Sequence, residues 1–248
     1  MHSVPKTLEE AIIQAKEAAS AAFNDGYKRV QAELVFPEIA LQAQALALDF
    51  SSIFSEYGSG LKILFADTGA AALARRDWQE VPFKISDLGT SRTPVEMKIS
   101  DDDRAFLVVC PSSIEIAQVE KLCNIADDRP VLLLIPQIED VAVVGIGYTA
   151  RQLRERFINT LYSAYFLRPV EGGIVFKSHP SAWQVWLELE EDYKFIVEQE
   201  QKPVGEDLER ILIRASNAGE NKDGDSTPKP KKAGILQTMQ SFLRALSS

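Results

Sequence analysis

Residues 105–136 read AFLVVCPSSIEIAQVEKLCNIADDRPVLLLIP, and this stretch decides the fold. AFLVVCP and RPVLLLIP are short apolar runs of strand length, each stopped by a proline, and SSIEIAQVEKLCNIA between them reads as a helix. Two buried strands joined by a helix imply parallel pairing, because a parallel connection has to cross over the sheet. The same rhythm extends upstream. KILFAD (62–67) is a buried strand with TGAAALARRDW (68–78) as a helix at its carboxyl end. RVQAELVFP (29–37) reads as a strand closed by Pro37, and residues 38–58 as a helix ending at Gly58. At the start, Thr7 and Glu10 form a capping box, and Leu8, Ala11, Ile12, Ala15, Ala18, Ala19 and Ala22 make an alanine-rich stripe that stops at Asn24-Asp25-Gly26.

Downstream the texture changes. EVPFKI (80–85) and VEMKIS (95–100) read as short, more exposed strands, VAVVGIG (141–147) as a fourth buried one, and residues 149–165 as helical in their first half. AYFLRPV, GIVFKSHP, WQVWLEL and DYKFIVEQE then crowd together between residues 164 and 200 and favour β structure. Residues 206–218 close the body as a helix. The expectation is an α/β fold: a mostly parallel sheet with helices on both faces, antiparallel strands added in the C-terminal third, and a detached C-terminal amphipathic helix. Residues 1–217 form one α/β domain, 218–233 a linker composed like a disordered segment, and 234–248 the amphipathic helix.

Composition narrows the function classes. With 46% hydrophobic and 25% charged residues the chain belongs with ordinary soluble proteins, and its net charge of −9 argues against nucleic acid as a partner. No apolar run approaches the ~20 residues of a membrane-spanning helix. The first residues, MHSVPKTLEEAIIQAK, lack the order of a secretory signal. Cys110 and Cys123 read as reduced, buried thiols in a cytosol-like compartment.

The ordered set VPKTLEEA, FADTGAAALARRDW, LVVCPSSIEIAQVEKL, RPVLLLIPQIED, ARQLRERFINTLYSAYFLRP and AWQVWLEL resembles a domain of unknown function. That family is known in cyanobacteria and chloroplasts and includes the low-photosystem-II-accumulation protein and a domain fused to a chloroplast adenylate kinase. The resemblance covers roughly residues 4 to 200 and implies an accessory role in photosystem II assembly at or near the thylakoid membrane. The family's third strand often ends in Asn-Pro, where this chain has Ile135-Pro136.

Ligands of open parallel sheets gather where strands end and helix amides are free. Three such corners are legible: Asp67-Thr68-Gly69, Ser112-Ser113 and Gln137. Asp67 suits a ribose hydroxyl or a metal and the serines a phosphate; equally, Asp67, Thr68 and Ser112 suit plain helix caps. GIGYTA puts Gly145, Gly147 and Ala150 on a dinucleotide-type spacing with Arg151 beside it, although Thr149 and Gln152 make an ordinary capping box there. A pairing of His179 with either cysteine is a further alternative. Trp183 and Trp186, three apart, point to opposite faces of one strand. No complete catalytic set, metal site or cofactor is expected.

Residues 226–248 carry Lys229, Lys231, Lys232 and Arg244 and no acid; removing that +4 from the chain's −9 leaves −13 for residues 1–225. On a helix, Ile235, Leu236, Met239, Phe242, Leu243 and Leu246 share an arc of roughly 120°. A helix so short needs its apolar face covered, by its own domain, by a membrane surface or by a groove on a protein partner. Two readings follow. The first is a non-enzymatic accessory or assembly factor that contacts a protein partner, a photosystem or other thylakoid complex, from a cytoplasmic or peripheral thylakoid location. The second is a nucleotide- or small-ligand-binding Rossmann-like domain, with an enzyme among its possibilities.

Overall fold

The computed structural model describes residues 3–90, 92–138, 148–189 and 192–220. Its strands are β1 (Arg29–Leu34), β2 (Leu61–Phe65), β3 (Lys84–Asp87), β4 (Ala105–Val109), β5 (Val131–Leu134), β6 (Tyr162–Val170), β7 (Gly173–Ser178), β8 (Trp183–Glu188) and β9 (Tyr193–Gln199). They form one nine-stranded sheet in the order β3-β2-β4-β5-β1-β6-β7-β8-β9. From β3 to β6 every neighbouring pair is parallel; from β6 to β9 every pair is antiparallel. The mixed sheet is therefore as the sequence rhythm implies, with the four late strands as an antiparallel wing.

The helices are α1 (Leu8–Asn24), α2 (Ala43–Phe50), α3 (Thr68–Asp77), α4 (Ile116–Ala126), α5 (Tyr148–Arg156) and α6 (Gly205–Glu220). On one face, the alanines of α1 pack with Leu46, Ala47 and Phe50 of α2 and Ala71 and Ala74 of α3 against Val30, Ala32, Ile63, Leu107 and Leu132. Alanine lets α1 sit low over β1 and β6. Thr7 Oγ1 accepts the Glu10 amide at 3.1 Å, while the Glu10 carboxylate accepts the Lys6 amide at 2.6 Å. On the other face α4 buries Val119, Leu122 and Cys123 on Leu64, Phe106, Val108 and Leu133, with Leu153 of α5 alongside. Farther along that face, Leu208 of α6 meets Phe166, Val175 and Trp183. Trp186 packs on the opposite side, beside Phe195 at 5.4 Å, as the odd spacing of the two tryptophans requires.

Two local expectations are corrected. Residues 38–58 are not one helix: Ile39–Gln42 and Ser51–Gly60 are 3-10 segments flanking α2. The Ser51 and Ser52 hydroxyls donate back to the Leu48 and Asp49 carbonyls at 2.7 Å, which competes with the helical ladder, and Phe54 and Gly58 leave helical angles. VEMKIS is not a strand: Val95–Met97 is a 3-10 turn after an extended Pro94, and Lys98 folds back to an ion pair with Asp87 at the end of β3. The expected strand VAVVGIG, residues 221–233 of the linker and the helix 234–248 lie outside the described residues.

Candidate functional site

Of the three strand-end corners, the structure joins Ser112 to Gln137, and the polar side chains at Asp67 and Ser112 are taken up locally. Asp67 Oδ1 caps α3 by accepting the Ala70 amide at 2.9 Å, with Thr68 and Gly69 as the first, exposed residues of that helix. Ser112 and Gln137 lie side by side, joined by a parallel bridge and by the Gln137 amide donating to the Pro111 carbonyl at 2.8 Å. The Ser112 hydroxyl donates to the Glu115 carboxylate at 2.7 Å and accepts the Ile114 amide at 3.2 Å; Ser113 is exposed beside it. Arg151 is exposed on α5, whereas Gly145 and Gly147 lie outside the described residues, as do Lys229, Lys231, Lys232, Ile235, Leu236, Met239, Phe242, Leu243 and Leu246.

Cys110 and Cys123 are free thiols that burial pushes up to about 12, so both stay protonated and inert at neutral pH. His179 pairs with neither. Its Nε2 lies 2.9 Å from Asp25 Oδ2 and its Nδ1 2.7 Å from the Tyr162 hydroxyl, and Tyr162 stacks on Tyr27 with ring centroids 3.6 Å apart. Burial, with smaller contributions from Tyr27 and Asp25, raises the Tyr162 phenol to about 12. Both imidazole nitrogens are spent on tying the end of α1 to β6 and the β7–β8 turn.

A different place in the fold has more chemistry. Along β1, Val30, Ala32 and Leu34 face the α1 layer, so Gln31 and Glu33 face the side covered by α4, α5 and α6. That layer leaves a cleft of about 550 Å³ over β1 and the start of β6. Gln31, Glu33 and Ser163 form its floor. Pro136, Ile138, Ile158 and Leu161 form one wall; Trp183 and residues 200–202 form the other. A second hollow, about 460 Å³ beside Tyr57, Arg104 and residues 125–130, lies at the amino ends of β4 and β5 and gathers no comparable set of buried charges.

Glu33 is only 6% exposed, and its carboxylate accepts the Ser163 hydroxyl at 2.6 Å. A register shift between Gln31 and Ala32 sets Ser163 beside Gln31 and Phe166 beside Glu33. Lys177, opposite Phe166 on β7, holds its ammonium 4.8 Å from the Tyr162 ring and 5.2 Å from Trp183. The Lys202 ammonium lies 3.7 Å from the Phe166 centroid and 5.3 Å from Trp183. Burial raises the Glu33 carboxyl above the ordinary carboxylate range, held back by Lys202, the Ser163 hydroxyl and Lys177. Burial lowers Lys202 to about 8 and lowers Lys177, in both cases opposed by Glu33. The cleft thus has a buried acid, Glu33, and a poorly solvated amine, Lys202, in its lining with the exposed Glu200, while Lys177 stands beside it against Trp183.

The floor was missed at the sequence level, although a signal existed. A central parallel strand is covered on both faces and normally reads as continuously apolar. RVQAEL alternates polar and apolar instead, which marks an incompletely covered face. Ser163, Lys177 and Lys202 carry no comparable mark, since polar residues in an antiparallel wing usually face solvent.

The sign of the Glu33 shift yields a test. A raised folded-state pKa favours the protonated acid, so this site's stability is complete below the ordinary carboxylate pKa and declines as pH rises through the folded value. Glu33→Gln, which keeps an acceptor for Ser163, is expected to raise the melting temperature at about pH 7.5 and leave it nearly unchanged at about pH 4.5. An equal change at both pH values in thermal melts contradicts the burial argument.

Among the described residues no group of three or more His, Cys, Asp or Glu is placed to hold a metal ion, and no helix is long and apolar enough to cross a membrane. The chain matches the profile of a domain of unknown function (DUF1995) over residues 5–210. No curated protein and no solved structure matches it significantly.

Proposed function

The chain belongs to the DUF1995 family, and from that premise we propose that it is an accessory factor acting by contact rather than by turnover. Its location is cytoplasmic with a fraction held at photosynthetic membranes, where it serves photosystem assembly or maintenance through a protein partner. The place and the process follow from the resemblance to chloroplast and cyanobacterial domains. The observation that carries the contact mode is charge segregation in the sequence: −13 on residues 1–225 against +4 on residues 226–248, whose apolar spacing fits the pattern of an amphipathic segment. Such a segment gains up to ~1.5–3 kcal/mol for each apolar side chain it fully buries and ~1 kcal/mol per lysine near anionic lipid, less its ordering cost and the repulsion of the acidic body. The sum is weak, reversible attachment.

Removal of residues 218–248 tests this. At low salt a part of the full chain is expected to sediment with isolated thylakoid membranes, and the chain ending at Asn217 to remain in the supernatant with an unchanged circular dichroism melt. A full chain that stays wholly in the supernatant, or a truncated chain that sediments equally, rules the reading out. The second reading, small-ligand binding, is favoured by one observation: the buried Glu33 carboxylate on the floor of a 550 Å³ cleft.

A further inference from the structure

We infer that the cleft over β1 and β6 binds an uncharged amphiphile, an O–H or N–H donor on an apolar body, whose donor closes on the unbonded oxygen of Glu33. This rests on the second, ligand-binding reading, names the ligand class for that site, and is independent of the tail.

The acceptor comes first. Glu33 is more than nine-tenths buried, and its Oε2 accepts the Ser163 hydroxyl at 2.6 Å. Its Oε1 accepts no hydrogen bond among the described residues, although the side chain lines the cleft. A carboxylate oxygen left without a donor in a poorly solvated place is costly, so a group that supplies one gains more there than at the surface.

The lining sets the rest of the ligand. Pro136, Ile138, Ile158, Leu161 and the Trp183 ring are apolar, and the space of about 550 Å³ lies within the range of pockets that enclose small organic molecules. Walls of that kind leave the many hydroxyls of a sugar unsatisfied. Charge decides between the remaining classes. An anion meets Glu33 on the floor and the exposed Glu200 in the same lining. A cation at Oε1 meets Lys202 and Lys177, whose positive charges both act on Glu33. Lys202 is itself engaged over the Phe166 ring and is no spare partner for a ligand. An uncharged donor meets neither repulsion. Water is the competing occupant: it satisfies Oε1 but gains nothing from the apolar walls.

The test uses the full chain and N-phenyl-1-naphthylamine, an uncharged aromatic amine whose fluorescence rises in apolar surroundings. Its competitors share an octyl chain: 1-octanol, methyl octyl ether, octanoate and octylamine. One saturable site is expected. There 1-octanol is expected to displace the probe at least about tenfold more effectively than the ether, which has no donor and is the more apolar of the two. Both ions are expected to be weaker competitors than 1-octanol. Glu33→Met removes the acceptor at similar side-chain length, and in that variant the advantage of 1-octanol over the ether is expected to vanish. Near-ultraviolet circular dichroism of the variant is read in parallel, and the order of the competitors on the wild-type chain decides the matter by itself where the variant misfolds. An ether as effective as the alcohol, or octanoate or octylamine ahead of 1-octanol, overturns the inference. So does a folded Glu33→Met variant that keeps the preference for the alcohol, or a folded wild-type chain with no saturable site, which leaves water as the occupant. None of these outcomes bears on membrane sedimentation, so failure here and failure of the contact mode are distinguishable.

Discussion

Asp103→Ala is expected to cost about 3–5 kcal/mol and to lower the melting temperature by about 10 °C, the largest single-residue effect anticipated in this chain. The carboxylate is wholly buried and sits between two ammonium groups, Lys62 at 2.5 Å and Lys84 at 2.7 Å, on neighbouring strands β2 and β3. It also accepts the Ser100 amide at 2.9 Å. Lys84 swings to water when the carboxylate is gone. Lys62, with only 8% of its side chain exposed, has no such exit and is left as a buried cation. Most of the cost is that stranded charge rather than the attraction lost. Asp103→Leu combined with Lys62→Met is therefore expected to recover much of the stability. Burial pushes the Asp103 pKa up, but Lys62, Lys84 and the Ser100 amide together hold it below the ordinary carboxylate range. A depressed folded-state pKa gives stability that is present above the unfolded value and lost as pH falls through the folded one. The acid limb of the stability profile should accordingly flatten in Asp103→Ala. Chemical denaturation from pH 7 down to about pH 3 measures both effects, and a loss under about 1 kcal/mol at pH 7 contradicts the argument.

Gly173→Ala is expected to destabilise by about 3 kcal/mol, and selectively. A β-carbon there falls 2.2 Å from the Trp186 carbonyl oxygen and 2.9 Å from Leu212 Cδ2 of α6. Neither neighbour can give way alone, because Gly173 is in register with Leu187 on β8 and Leu212 is buried. One methyl group must either open the β7–β8 pairing or lift α6 from the wing. Hydrogen exchange is expected to quicken across β7, β8, β9 and α6 while β2, β4 and β5 keep their protection. The preceding residue is the control. Gly172 has open space around its missing side chain but a φ of +80°, so Gly172→Ala carries only a backbone penalty of about 1–2 kcal/mol. Equal losses at both positions remove the close-approach explanation.

The fold was legible where burial leaves the sequence no choice. AFLVV and VLLL are buried at every position on both faces, and a run of that kind between helices has one interpretation. The reading failed where polar side chains decide the backbone locally. Ser51 and Ser52 divert a segment whose apolar spacing looks helical, and Lys98 draws a β-prone segment into a turn through a partner eleven residues earlier. The corner at Asp67 was legible as a cap because it finds the Ala70 amide within three residues; Ser112, expected as a cap, caps no helix, its hydroxyl being taken up by Glu115 and the Ile114 amide ahead of α4. The cleft was not. Glu33 meets Ser163 across 130 positions of sequence, and its significance depends on which helix does not cover it, a property of the assembled layers.

The central place of β1 governs how the protein has to be made. Its two hydrogen-bonding edges belong to β5 and β6, so a strand that leaves the ribosome early waits for partners that begin at Val131 and Tyr162. Throughout that interval the newborn polypeptide presents an open, half-greasy ribbon of the sort that chaperones capture and neighbouring chains invade. Translation therefore cannot lay this sheet down in its spatial order, since β2, β3 and β4 are all made before either neighbour of β1.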